Sequence, residues 1–222
     1  MTKLRTMLFV LLASVATSPL FASASDWAGP YVGVQGSIVG VELDGSHNDR
    51  NGDITYGAVG KFATIGGVDI GYAFPIGENA FVDIGGSYIE GSASFKHDNV
   101  GNSNADVTFT AENLMSVYIQ PNFAVSDSSA IYFKVGYSEA ETSVTGDVTK
   151  PADLEGTTYA IGTKSLLPSG LFVKTEAGFT EYDEITSTGK SATQAAGKIL
   201  NSVTVKAEPT IAYGAITLGV KF

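Results

Sequence analysis

The chain has 222 residues, of which 44% are hydrophobic and 16% are charged, with 26 Gly and no Cys. This length suits one domain, and the charged fraction lies well below the roughly 25% that is usual for soluble globular domains. Acidic residues outnumber basic ones by 23 to 13, so no nucleic-acid partner is expected, because phosphate binding needs clustered Lys and Arg. The absence of Cys excludes disulfides, thiolate metal sites and cysteine nucleophiles.

The N-terminus has the three parts of a secretory signal peptide. Lys3 and Arg5 supply positive charge, an apolar run follows, and an Ala-Ser-Ala sequence ending at Ala24 fits the small-residue pattern before a cleavage site. The apolar run is far shorter than the about 20 residues that a membrane-spanning helix needs. We therefore predict a cleaved signal peptide over residues 1–24 and a single domain over residues 25–222.

After the signal peptide the residues alternate with a period of two, which is typical of β-strands with two different faces. Short turns and long polar connections also alternate along the chain, as they do in an up-and-down meander. This arrangement predicts eight strands, and a ten-stranded count with an extra hairpin in the last connection is the alternative. The predicted strands lie near residues 30–42, 55–74, 80–94, 107–123, 130–139, 157–167, 171–181 and 203–222.

The two faces of these strands differ in a way that indicates a membrane. In residues 68–74, for example, Val, Ile, Tyr and Phe alternate with Asp, Gly and Ala. A solvated outer face would carry Lys, Glu and Thr, whereas small residues with isolated charges suit a narrow lumen. A closed barrel also satisfies every backbone hydrogen bond in hydrocarbon. The sequence therefore predicts an all-β fold: a closed antiparallel up-and-down transmembrane β-barrel.

Both ends of the mature chain carry specific patterns. Residues 26–33 read Asp-Trp-Ala-Gly-Pro-Tyr-Val-Gly, and the last strand alternates apolar residues and ends on an aromatic one. The first pattern resembles the W-x-G-x-Y-x-G opening of small outer-membrane β-barrel proteins of the opacity-like and porin-like type, and residues 67–74 look like that family's second strand. The end of the chain is similar to the signal by which the outer-membrane barrel assembly machinery recognises its clients, here Ile216, Leu218, Val220 and Phe222.

The resemblance implies the outer membrane of a Gram-negative cell, periplasmic termini and surface-exposed loops. Its implied partners are outer-membrane lipids and the assembly machinery, and it names no surface partner. It does not imply one activity. We expect a structural or surface-interaction role with acidic extracellular loops, and a narrow porin-like channel for small solutes is the alternative. A lipid-modifying enzyme and a soluble periplasmic barrel for an apolar ligand are further alternatives.

Candidate residues for catalysis or metal binding are few. The two histidines, His47 and His97, fall in stretches predicted as polar loops, without the Ser and acid that a hydrolase needs beside a His. Asp49, Asn51 and Asp53 partly match a calcium loop, but the Gly and Glu that complete the pattern are missing. We predict no catalytic residues, no cofactor and no metal site, and hence no enzyme.

The charged residues that parity places inside the barrel form the remaining candidate site. An eight-stranded barrel is about wide enough for side chains to fill it, so buried charges there are expected to pair. The set can be interpreted as a salt-bridged plug, which we favour, or as a charge-lined pore. It consists of three acids and three lysines, with Gln35 nearby: Asp69, Asp83, Glu176, Lys134, Lys164 and Lys174.

Overall fold

A computed structural model describes residues 23–48, 54–97, 107–191 and 199–222, which fold almost wholly into antiparallel strands. Two 3-10 turns, Ala24–Trp27 and Pro168–Gly170, accompany the strands. In these described ranges no helix is long and apolar enough to span a membrane. The strands are β1 (Gly29–Asn48), β2 (Ile54–Pro75), β3 (Ala80–His97), β4 (Val107–Ser126), β5 (Ser129–Thr145), β6 (Leu154–Leu166), β7 (Leu171–Tyr182), β8 (Ile185–Thr188) and β9 (Thr204–Lys221).

Eight of these strands close a barrel. Each strand from β1 to β7 pairs with the next, β7 pairs with β9, and β9 pairs back with β1. The closing pair keeps one register from Tyr31 opposite Lys221 to Asn48 opposite Thr204. The four-residue β8 pairs with β9 beyond the end of β7, so it lengthens the wall without adding to the circumference. The predicted eight-stranded barrel is confirmed.

The alternation of the sequence becomes an apolar outer wall and a mostly polar lumen. On β2, Ile70 is exposed while Asp69 is buried, and on β9, Leu218 is exposed while Thr217 is buried. Soluble monomers rarely expose apolar patches larger than a few hundred Å². An apolar wall of this extent around a closed barrel is the surface that faces lipid in outer-membrane barrels.

We call the two ends of the barrel the turn rim and the loop rim. The turn rim carries the short connections 76–79, 127–128 and 167–170, and it also holds both ends of the described chain. There the backbone N–H of Phe222 donates to the carbonyl of Pro30 at 3.0 Å, which fixes the last residue beside the first strand. The loop rim carries the long connections.

At the loop rim the strands run further than the sequence predicts. β1 ends at Asn48 instead of residue 42, and β5 ends at Thr145 instead of residue 139. These extensions are rich in polar residues, and a polar composition of this kind predicts loops. Backbone pairing between neighbouring strands continues there regardless of side-chain polarity, as the pairs from β1 to both its neighbours show.

Two connections at the loop rim are hydrogen-bonded to each other. The backbone N–H of Thr149 donates to the carbonyl of Thr188 at 2.7 Å, and Ser187 Oγ donates to the carbonyl of Thr149 at 2.6 Å. The carboxylate of Asp147 accepts hydrogen bonds from Ser191 Oγ and from the backbone N–H of Ile199. Residues 146–153 and the described residues that follow β7, 183–191 and 199–203, are therefore joined by hydrogen bonds.

An extra residue in β4 changes which side chains face the lumen. The register with β5 shifts between Glu112 and Met115, and Asn113 has a φ of 56°, in the left-handed region that Asn tolerates better than most residues. On the turn-rim side of this bulge the even-numbered residues of β4, such as Tyr118, face inward. On the loop-rim side the odd-numbered Phe109 and Ala111 line the interior instead.

Candidate functional site in the barrel lumen

Three ion pairs cross the half of the lumen nearest the turn rim. The Nζ-to-carboxylate distances are 2.6 Å for Lys174–Asp69, 2.6 Å for Lys134–Glu176 and 3.2 Å for Lys164–Asp83. All six side chains are at most 6% exposed. The structure thus brings together the six residues that strand parity assigned to the interior, and we call these six ion-paired side chains the charged plug.

Tyrosine hydroxyls complete the partners of two of the carboxylates. Tyr118 donates to Asp69 at 2.6 Å, and its hydroxyl lies 3.0 Å from that of Tyr31. Glu176 accepts hydrogen bonds from Tyr132 at 2.9 Å and from Tyr213 at 2.8 Å. Because Asp69 and Glu176 have both an ammonium and a hydroxyl partner, these two ion pairs offset much of the cost of removing their charges from water.

Aromatic rings close the plug at the turn rim. Trp27 stacks on Phe81 with ring centroids 5.3 Å apart and planes 10° apart. The Lys164 ammonium lies 4.3 Å from the ring centroid of Tyr31 and 5.3 Å from that of Phe172, distances at which cations are attracted to aromatic faces. The Trp and Tyr of the opening sequence therefore pack inside the barrel mouth, beside the Lys164 ammonium.

A row of hydroxyl groups lies on the loop-rim side of the plug. It crosses four adjacent strands, with oxygen–oxygen distances of 2.6 Å for Ser116–Ser138, 2.6 Å for Ser138–Thr158 and 2.7 Å for Thr158–Thr180. We call these four residues the hydroxyl row. Three of its members, Ser116, Thr158 and Thr180, line a cavity together with Lys134 and Glu176, so the row and the charged plug face the same space.

Beyond the hydroxyl row the lumen lining becomes apolar. A cavity lies there on the inner face of the barrel. This cavity adjoins the space between the plug and the hydroxyl row, because both spaces are lined by Val39, Ile89, Leu114 and Ile211. Its apolar lining includes Val39, Val41, Ile65, Ile89, Leu114 and Ile211.

This apolar half of the lumen was not predicted. The sequence carried a signal for it, since Val39 and Val41 share strand parity with Gln35 and Ser37, and all four are buried. The bulge in β4 hid the contribution of Phe109, because parity counted from the turn rim would place it outside.

The remaining candidates from the sequence are distributed as follows. His47 belongs to β1 and His97 ends β3, so the prediction that both lie in loops is wrong, because the strands extend into those stretches. Residues 49–53, with the partial calcium pattern, lie outside the described residues. Among the residues that are described, no group of three or more His, Asp or Glu side chains is placed to hold a metal ion. The assembly residues Ile216, Leu218 and Phe222 are exposed on the outer wall toward the turn rim, and their role stays a prediction.

The fold and the lumen together define an integral membrane β-barrel that is closed, antiparallel and filled by paired charges over part of its length. The chain belongs to the family of the outer membrane protein beta-barrel domain, whose model matches residues 7–220. The resemblance to small outer-membrane barrels seen in the terminal patterns is therefore confirmed. No curated protein matches the sequence.

Two solved structures share the fold at low sequence identity. The outer membrane protein OprG from Pseudomonas aeruginosa is 13% identical with a TM-score of 0.54, and the match covers 91% of this chain and 100% of OprG. The outer membrane protein AlkL, determined in lipid bilayers, is 16% identical with a TM-score of 0.53, and the match covers 93% of this chain and 94% of AlkL. At these identities the similarity concerns the fold alone.

Proposed function

We propose that this outer-membrane barrel binds a small apolar molecule in the loop-rim half of its lumen, and that the charged plug prevents passage of hydrated solutes to the other side. The observation that carries the proposal is the change of lining along one lumen, from apolar residues to paired charges. Binding sites for small molecules are typically lined by apolar side chains with a few polar groups.

The plug favours this role over a porin-like channel. An aqueous pore needs a continuous hydrated path lined by charges that water can reach. Here three acids meet three lysines in direct contact, and Trp27 and Phe81 stack beneath them. The proposed role is one of binding at the cell surface and not of catalysis.

The proposal includes an orientation and a maturation step. With the periplasmic termini that the resemblance implies, the loop rim faces the cell exterior and the ligand enters from outside. Residues 1–24 are removed as a signal peptide, and Phe222 with the apolar residues before it serves as the assembly signal. Cleavage after Ala24 removes the first residue of the 3-10 turn Ala24–Trp27 and keeps Trp27 in the mature chain. Mass spectrometry of the mature protein tests the cleavage.

Methyl NMR of the refolded protein in lipid nanodiscs tests the binding. On addition of p-xylene, the methyl signals of Val41 and Ile211 in the cavity should shift and saturate. The methyls of Val34 and Ile216, which face lipid, should change linearly with xylene in the bilayer. Ile211→Asp should abolish the saturable shifts of Val41, and Val34→Thr on the outer wall is the control that should leave them intact.

Bilayer conductance of the same preparation tests the plug. The wild-type protein should give no open-channel current. Linear, equal shifts at inward and outward methyls would refute the binding role, and a steady ion-selective current would refute the closed lumen.

A further inference from the structure

The hydroxyl row lies between the charged plug and the apolar cavity, since Ser116, Thr158 and Thr180 line the space that adjoins this cavity. The hydrogen-bonding groups of the row define the ligand more narrowly than the size of the cavity or the polarity of its walls does. We infer that the ligand is an uncharged amphiphile, an apolar chain or ring that carries one hydroxyl or carbonyl group, with this head on the hydroxyl row and the apolar part toward the loop rim. This inference rests on the proposed function, because it assumes that the cavity is a binding site.

The hydrogen-bonding capacity of the row supports an uncharged polar head. Three bonds join its four hydroxyls, and in each of them either oxygen can be the donor. Since a hydroxyl has one hydrogen and two lone pairs, one hydrogen and several lone pairs of the row remain for a ligand. The row can reverse its direction as a whole, so it can donate to a carbonyl or both donate to and accept from an alcohol.

The charge below the row argues against an ionic head. Lys134 and Glu176 are paired with each other, and Glu176 also accepts from Tyr132 and Tyr213. The pair is neutral as a whole and its members are already engaged. A carboxylate or an ammonium entering this space would lack a counter-ion, and a buried unpaired charge is strongly unfavourable.

The walls fix the direction of the apolar part. Leu114 lies two residues beyond Ser116 on β4, and Ala140 lies two residues beyond Ser138 on β5. Both apolar residues are therefore one step nearer the loop rim on the inward face, and Leu114 lines both cavities. A head group on the row consequently leaves the rest of the molecule against Leu114, Ile89 and Ile211.

Three probes of equal chain length separate the possible heads: octane, 1-octanol and octanoate. Each is titrated into nanodiscs, with saturable methyl shifts of Val41 as the signal for binding and the outward Ile216 methyl as the measure of probe in the bilayer. One net hydrogen bond to an uncharged head should make 1-octanol bind about five- to tenfold more tightly than octane. Octanoate should bind more weakly than 1-octanol.

Variants of the row test the assignment. Ser116→Ala with Thr158→Val should remove most of the preference for 1-octanol without weakening octane, whereas Thr158→Ser, which keeps the hydroxyl, should retain it. The matched control is Thr163→Val with Thr175→Val, which removes an exposed hydroxyl pair 2.8 Å apart on the outer wall and should leave the preference unchanged. Folding of each variant is checked by heat modifiability on gels.

The outcomes distinguish the two proposals. If octane gives no saturable shift, the binding role itself fails. If octane binds but 1-octanol binds no more tightly, or if octanoate binds most tightly, the uncharged-amphiphile assignment is overturned while the binding role stands. Retention of the full 1-octanol preference in the Ser116→Ala/Thr158→Val variant would also overturn the assignment.

Discussion

Removal of one ammonium from the charged plug should destabilise the barrel far more than removal of an equally close ammonium at its surface. Lys174 lies 2.6 Å from Asp69, with side chains 1% and 0% exposed, whereas Lys206 lies 2.6 Å from Glu184, with side chains 50% and 42% exposed. The two pairs have the same chemistry and the same distance. They differ in burial, so Lys174→Met and Lys206→Met form a matched comparison.

The expected magnitudes follow from this difference in burial. Lys174→Met leaves the Asp69 carboxylate buried with only the Tyr118 hydroxyl as a hydrogen-bond donor. An uncompensated buried charge of this kind costs about 3–5 kcal/mol, while a surface pair contributes about 0–1 kcal/mol. The double variant Lys174→Met/Asp69→Asn removes the unpaired charge and keeps an acceptor for Tyr118, so most of the stability should return.

Urea unfolding in lipid, followed by fluorescence, measures these differences. The chain has one tryptophan, Trp27, which is buried against the plug and reports its loss directly. With a slope of about 1–3 kcal/mol per molar urea, Lys174→Met should lower the midpoint by about 1–5 M. Equal midpoints for Lys174→Met and Lys206→Met would show that water screens the plug and would refute the closed lumen.

Three further predictions concern the rims. The Thr142 N–H donates to the Asp153 carboxylate at 2.9 Å and holds the pKa of Asp153 below its ordinary value. This stabilisation is therefore present above the unfolded pKa of about 4 and is lost as the pH falls through the folded pKa. The protection of the Thr142 amide, measured as its exchange rate relative to an unstructured amide at the same pH, should fall there, whereas Asp153→Asn should show no such step. Deletion of Phe222 should lower the amount of assembled, heat-modifiable protein several-fold, whereas Phe123→Ala, which removes another exposed aromatic residue, should not. Equal effects of the two changes would show that Phe222 acts only as an interfacial anchor. Asp147→Ala should speed amide exchange in residues 199–201 about tenfold, the effect of losing about 1.4 kcal/mol locally, while the urea midpoint stays nearly constant.

Strand number and strand order follow from period-two alternation together with the alternation of short turns and long connections, and strand parity gives the residues of the plug. Asp69, Lys134 and Lys174 each stand in the middle of a bulky alternating run, so their parity places them inward without knowledge of the fold. Strand parity does not predict which lysine pairs with which acid. Lys174 and Asp69 are 105 residues apart, and only the closed circle brings β2 and β7 to face each other.

Other features depended on information that parity does not carry. The bulge at Asn113 inserts one residue into β4, and beyond it the odd-numbered Phe109 and Ala111 line the interior. The role of Asp147 could not be predicted either, because in the sequence it is one of many loop carboxylates. Its replacement would therefore be expected to leave stability unchanged. In the structure it joins two connections, since both the Ser191 hydroxyl and the Ile199 N–H donate to it.

The three ion pairs also constrain when the barrel can complete itself. They connect β2 with β7, β3 with β6 and β5 with β7, across 105, 81 and 42 residues, so no hairpin contains a whole pair. Until the opposite walls meet, all six charged groups need water, because an isolated charge cannot enter a dry interior. We therefore expect the lumen to lose its water only when the walls that carry the partners meet, late in assembly. We also expect the rate of that step to depend on charges that do not contact lipid.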